Sequence, residues 1–210
     1  MQQFPAIRFA IPTRVAAPFD NADWIFELKH DGFRALAYIG DRRCDLISRK
    51  NNVYKSFAAL CAELAELGAK NAILDGEIVV LDGEGRSLFN ELLHRRGQPA
   101  FYAFDLLWLN GRDLRHLPLV QRKERLRKLI ENTKSPAVIY AQHVERNGTA
   151  LYREICKRDL EGMVCKRKDG AYSCASVWFK VVNPNYTQHE GRHEMFTKFR
   201  ERPARAALQP

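Results

Sequence analysis

The stretch Trp24-Ile25-Phe26-Glu27-Leu28-Lys29-His30-Asp31-Gly32-Phe33-Arg34-Ala35-Leu36-Ala37-Tyr38-Ile39 decides how the chain is read. Residues 24–28 and 33–39 are rich in aromatic and branched side chains, the composition of strands. Asp31-Gly32 between them is a tight-turn signal, so the pair reads as a hairpin. Lys29 closes the first strand, with Glu27, Asp31 and Arg34 close by in sequence. A lysine held by rigid elements beside another cation can lose its proton, and the neutral amine is a nucleophile. Taken alone, the stretch favours a plainer reading, a solvated lysine at a hairpin.

Moving outward, residues 43–48 read as a third strand. Phe57, Leu60, Cys61, Leu64 and Leu67 recur at helical spacing and mark an amphipathic helix that Gly68 ends. Residues 72–81 are β-branched and strand-like, closed by a turn at Asp82-Gly83-Glu84-Gly85. Ser87 is placed to cap a short helix reaching Leu93. Phe101–Leu109 is an apolar strand ended by Asn110-Gly111. Pro118 opens a helix to about Asn132, whose stripe carries Leu119, Arg122, Lys123, Leu126, Leu129 and Ile130. A strand near Val138, a helix over 150–157 and strands near 161–166 and 177–182 complete the body. Residues 1–23 read as an extended lead-in. There is no regular strand–helix alternation and no G-x-G-x-x-G, which argues against a dinucleotide-binding fold. The class expected is α+β, mostly antiparallel.

Lys and Arg number 34 against 25 Asp and Glu, a formal charge of +9. Such a surplus favours polyanionic partners. The basic residues come in small clusters (Arg42-Arg43, Arg49-Lys50, Arg95-Arg96, Lys157-Arg158, Lys166-Arg167-Lys168), as on a folded surface rather than in a basic tail. The five cysteines are scattered with no C-x-x-C, which disfavours a zinc ribbon or a disulfide framework. His189 and His193 are four apart but lack a third ligand. No window approaches the ~18 apolar residues of a membrane span, and the start resembles no secretory signal. A cytoplasmic location, away from membranes, is expected.

Four further segments carry possible chemistry. Leu74-Asp75-Gly76-Glu77 places two carboxylates in an apolar run, where acids seldom sit unless paired or bound to metal. Glu161-Gly162-Met163-Val164-Cys165-Lys166 joins an acid, a glycine and a lysine. In a straight strand residues 161 and 166 face opposite sides, so a shared site needs a bulge, which Gly162 can supply. Trp178-Phe179-Lys180 embeds another lysine, and Phe104 offers a ring able to stack on a base. Surface salt bridges and core packing are the alternatives for each segment taken alone.

Their order narrows the choice. KxDGxR (29–34), LDGE (74–77), YAFDLL (102–107), EGxVxK (161–166) and WxK (178–180) follow one another over about 150 residues. This series resembles the covalent nucleotidyltransferase superfamily, and within it the ATP-dependent DNA ligases of the bacterial sort. The resemblance covers roughly residues 20–186. It implies an antiparallel-sheet-rich, ATP-grasp-like adenylation domain over 1–186, followed by a basic polar tail over 187–210.

The resemblance also implies roles. Lys29 would attack the α-phosphate of ATP and carry AMP. Lys166 and Lys180 would depress its pKa and neutralise charge on the transferring phosphoryl group. Glu77 would bind the ribose or a metal ion, and Glu161 would be the second acidic metal ligand, for Mg2+ or Mn2+. Phe104 would stack on adenine and Glu27 would read its amino group. Arg34 and Arg49 would contact the ribose and the DNA 5′-phosphate. AMP would pass to the 5′-phosphate at a nick in double-stranded DNA, and the 3′-hydroxyl would displace it. An RNA ligase or a capping-type guanylyltransferase shares the KxDG chemistry, and a non-catalytic DNA-end-binding module is the reading without turnover.

The pattern departs in two places. The last strand motif often carries a second lysine two positions after the first, and here that position is Val182. The family normally continues into an OB-fold domain with a basic motif that orients pyrophosphate, whereas 24 residues follow Tyr186. Lys198, Arg200, Arg202 and Arg205 read first as a solvated tail; the alternatives are that they partly substitute for that motif or that a partner protein supplies it.

Overall fold

The computed structural model describes residues 4–133 and 135–188. Two sheets form the body, as expected for the α+β class. The first runs β1 (Thr13–Arg14), β11 (Trp178–Val182), β10 (Gly162–Arg167), β2 (Asn21–Lys29) and β9 (His143–Arg146). The second runs β4 (Arg43–Ser48), β3 (Phe33–Gly40), β5 (Asn71–Val79), β6 (Ala100–Leu109) and β7 (Arg112–Asp113), with β8 (Val138–Tyr140) also paired to β6. Every pairing is antiparallel except β1 with β11 and β6 with β8.

Alternation along the strands separates core from site. Trp24 and Phe26 of β2 turn to one face and meet Met163, Val181 and Ile155, the last from α4 (Gly148–Lys157). Glu27 and Lys29 therefore turn to the other face. In the second sheet, Ala35, Ala37, Leu74 and Ala103 pack against Leu60 and Leu64 of α1 (Ala58–Ala65) and Leu126 of α3 (Leu119–Glu131). Arg34, Asp75 and Glu77 face the opposite way. Each sheet thus buries its outer face under helices and turns its polar inner face to the other sheet. A smaller apolar cluster of Leu36, Ile73, Leu107, Tyr172 and Trp178 holds the inner faces together. Fully burying each such side chain contributes roughly 1.5–3 kcal/mol.

Several expectations need correction. β2 and β3 do not form a hairpin, because each pairs with strands of a different sheet. Asp31-Gly32 is the crossover between the two sheets. Gly32 is needed there for space: a Cβ would lie 2.2 Å from the Ile78 carbonyl oxygen. Ser87 does not cap α2 (Phe89–Leu93), whose N-cap is Leu88. Its hydroxyl instead accepts a bond from the Asp31 N–H at 3.3 Å and lies 3.2 Å from His30 Nδ1, tying the crossover down. The helix α1 is capped at Glu66, ahead of Gly68. The short strands β1, β7 and β9 went unread because they lack apolar alternation. His189, His193, Lys198, Arg200, Arg202 and Arg205 lie outside the described residues, and the cysteines among the described residues are free thiols. No described helix is long and apolar enough to cross a membrane.

Candidate active site

Between the inner faces lies a cleft of about 860 Å³. Its lining includes all nine residues singled out from the sequence: Glu27, Lys29, Arg34, Arg49, Glu77, Phe104, Glu161, Lys166 and Lys180. Register explains the convergence. Across the first sheet, Lys29 partners Gly162, Glu27 partners Val164, and Val164 partners Lys180. Directly paired residues project to the same side, so Glu27, Lys29, Lys166 and Lys180 share one wall. Arg34, Glu77 and Phe104 come from the facing sheet. A second groove, about 940 Å³, runs past Phe26, Leu28, Leu151 and Ile155, and is mainly apolar.

Lys29 Nζ donates to Glu161 Oε1 at 2.6 Å. Glu161 lies one residue before β10, and Gly162 lets it join the cleft. The glycine has φ +154°, a conformation L side chains rarely adopt, and a Cβ there would meet the Val181 carbonyl oxygen at 2.2 Å. The anticipated one-residue bulge is absent, and β10 keeps continuous register with β2. The glycine re-aims residue 161 by its backbone angle alone.

Glu27 is 3% exposed and bridges two buried lysines, Lys123 Nζ at 2.5 Å and Lys166 Nζ at 2.6 Å. Burial works to raise its pKa, but the two ammonium groups outweigh burial and hold it below the usual value. Lys123 also donates to the Ala141 carbonyl at 2.9 Å. Lys166 lies 4.3 Å from the Phe104 ring centre and 4.2 Å from that of Trp178, and burial lowers its pKa. Its ammonium is thus committed to Glu27, not set against Lys29 as expected. The motif lysine that feels Lys29 is Lys180, whose pKa is lowered by burial first and by the Lys29 charge second.

Arg34 forks onto Asp75, Nε to Oδ1 at 2.6 Å and Nη2 to Oδ2 at 2.7 Å. Tyr172 donates to the same carboxylate at 2.6 Å. The guanidinium lies 4.4 Å from the Phe104 ring centre. Phe104 itself sits where β6 slips register against β5, between the Asp75–Asp105 and Gly76–Ala103 pairs. Such bulges commonly re-aim a side chain beside a working site. Asp105 next to it is fully buried on Arg122 at 2.8 and 2.9 Å.

Glu77 has no such fork. Burial raises its pKa to about 7, with the charges of Glu161 and Asp31 adding to the effect. Arg49 lines the rim with Arg14 and Lys50, and among the described residues none of the three is ion-paired. Away from the cleft, by contrast, Arg42, Arg96, Arg158 and Arg167 pair with local acids. Sequence reasoning put Lys123 on the α3 stripe but missed its role. A lysine inside a Gln-Arg-Lys-Glu-Arg run gives no sign that it is buried on an acid 96 residues away.

A family model described as the ATP dependent DNA ligase domain matches residues 6–181. The chain belongs to that family. As a member of the ATP-dependent DNA ligase domain family it is 34% identical over 169 residues to the multifunctional non-homologous end joining protein LigD of Pseudomonas aeruginosa, covering 77% of this chain and 20% of that protein. It is 28% identical over 184 residues to the SPbeta prophage-derived DNA ligase-like protein LigB of Bacillus subtilis, covering 83% and 66%. Among solved structures it resembles the ligase domain of LigD from M. tuberculosis, with a TM-score of 0.70 and 29% identity over 82% of this chain and 58% of that one. It also resembles a mycobacterial DNA ligase D complexed with ATP and MES, with a TM-score of 0.69 and 30% identity over 84% and 60%. The domain therefore spans about a fifth of the Pseudomonas relative's length and less than two thirds of the others.

Proposed function

We propose that this ligase-family domain adenylates itself on Lys29 and passes AMP to the 5′-phosphate of nicked double-stranded DNA. One observation carries the reading. A lysine amine lies 2.6 Å from a carboxylate at the floor of a nucleotide-sized cleft, and two further motif lysines share its wall.

The step balances as follows. The Lys29 amine, having ceded one proton, attacks the α-phosphorus. The N–P bond forms, the P–O bond to the β-phosphate breaks, and pyrophosphate leaves with that electron pair. The nitrogen then sheds a second proton, and Glu161 Oε1 is the acceptor in reach. Lys180 and Lys166 neutralise charge on the phosphoryl group. Phe104 and Val164 offer faces to the adenine, with Glu27 at its edge. Arg34 and Arg49 contact sugar and phosphate. An oxygen of the DNA 5′-phosphate then attacks the same phosphorus, the N–P bond breaks and the Lys29 amine is returned; the 3′-hydroxyl attacks the DNA phosphorus of the resulting phosphoanhydride and AMP leaves.

Magnesium or manganese fits the donor set. Glu77 and Glu161 supply hard oxygen ligands, and Glu77, whose pKa is raised mainly by burial, has no ion pair among the described residues that would compete with a cation. The ion, when bound, offsets phosphate charge. Sealing of a labelled nicked duplex by the chain alone, with Lys29→Ala as the control, reads whether it needs a partner protein.

Incubation with α-labelled ATP and magnesium leaves label on the wild-type chain, and Lys29→Ala reduces it to background while the melting curve stays within 2 °C, a shift of about 1 kcal/mol or less for a chain this size. No label on the wild type over a range of metals and pH would sink the covalent reading. GTP in place of ATP, and nicked RNA in place of DNA, separate it from capping-type and RNA-sealing enzymes. Salt-sensitive nick binding without label would instead mark a non-catalytic end-binding module.

A further inference from the structure

We propose that Arg14 binds the departing pyrophosphate and takes the place of the lysine missing at position 182. The assignment rests on the adenylation reading above and adds a residue to it.

β1 contains just Thr13 and Arg14, yet it is seated in register. Arg14 is the direct parallel partner of Lys180, and the Val15 N–H donates to the Lys180 carbonyl at 3.0 Å. Adjacent partners project to the same side, so Arg14 stands beside Lys180 on the cleft wall, and both line the cleft. Val182 lies two residues further along β11, which is the same face, and it too belongs to the lining. Its methyl groups cannot bind an anion. The strand next door therefore supplies the cation that this strand lacks.

Charge balance points the same way. On this wall stand Lys29, Lys180 and Arg14, with Arg49 across the cleft after β4, and after burial their charges help to lower the Lys180 pKa. The acid beside them, Glu161, is already bonded to Lys29. Arg14 is exposed and has no ion pair among the described residues. A guanidinium without an ion pair, on the strand beside Lys180, fits a planar phosphate contact.

In-line displacement selects which phosphate. Lys29 attacks from β2, so the leaving group departs on the opposite side of the α-phosphorus. The strand order β2, β10, β11, β1 places Lys180 two strands over and Arg14 three strands over. At ~4.8 Å per strand, that is the span across which a pyrophosphate moves away.

The test uses the full chain and two rates: labelling of Lys29 by α-labelled ATP, and the reverse step, release of the label as ATP when pyrophosphate is added to the labelled protein. Arg14→Ala is expected to lower kcat/KM for ATP about tenfold and to slow pyrophosphate-driven release by a similar factor. Arg14→Lys retains most of both rates. Adding Val182→Lys to Arg14→Ala restores them, which a merely structural role for Arg14 would not allow. Rates for Arg14→Ala within twofold of wild type overturn the assignment, as does a loss that neither Arg14→Lys nor Val182→Lys repairs. If the wild type takes up no label, the adenylation reading fails first and this one falls with it.

Discussion

Asp75 and Glu77 stand two residues apart on β5 and share its inner face, yet they live differently. Asp75 is fully buried and held by a forked arginine and a tyrosine hydroxyl. Glu77 has no fork, and burial raises its pKa to about 7. The same contrast separates Asp105, buried on Arg122, from Glu161, whose ion-pair partner is the cleft lysine Lys29. Where geometry neutralises a buried acid with a planar guanidinium, the acid fastens the scaffold. Where the neutralisation is left incomplete, the acid is available to a metal ion or a proton.

The contrast is broken most directly at Arg122. Arg122→Met leaves Asp105 charged, buried and unpaired, which costs about 3–5 kcal/mol and lowers the melting temperature on the order of 10 °C. Replacing both partners, Arg122→Met with Asp105→Leu, recovers much of the loss. Urea unfolding of the single and double variants decides it. If the single variant loses less than about 1 kcal/mol, Asp105 is not a scaffold charge.

Glu77 is tested by pH. Its folded pKa of about 7 lies above the ordinary 4.5. Between those values the native state keeps a proton that the unfolded chain has lost, so stability falls as pH rises through that window. The fall is on the order of 2–3 kcal/mol, and Glu77→Gln flattens it without lowering stability at pH 4.5. Denaturant midpoints between pH 4.5 and 7.5 measure both slopes, and parallel slopes would place Glu77 in the same class as Asp75.

The smallest effect belongs to an exposed pair. Lys128 and Glu124 lie 2.8 Å apart on α3, with side chains 65% and 56% exposed. Glu124→Ala is expected to shift stability by less than ~0.5 kcal/mol, and this shift disappears in high salt. A larger loss would mean that distance alone, without burial, sets the ranking.

What the sequence disclosed follows the same division. The cleft residues were legible because they stand in short motifs whose residue types declare their chemistry, and all nine line one cavity. The strands of the core were legible from alternation and the main helices from spacing. The crossover at Asp31-Gly32 was misread because a turn signal reports a local bend and not which strands pair afterward. The partners Arg34–Asp75, Arg122–Asp105 and Lys123–Glu27 were hidden because they join residues 41, 17 and 96 apart. Helical spacing puts Arg122 and Lys123 on the inner stripe of α3, but nothing in Gln121-Arg122-Lys123-Glu124 names the acids they meet. Arg14 was hidden for the opposite reason, because a two-residue strand has no period to detect.

The cluster of Lys123, Glu27 and Lys166 holds two positive groups on one negative one, deep in the protein. Its surplus charge has no counter-ion of its own. On the proposed reading, a phosphate brought to Lys166 would offset that surplus, so a nucleotide in the cleft would stabilise the fold as well as being held by it.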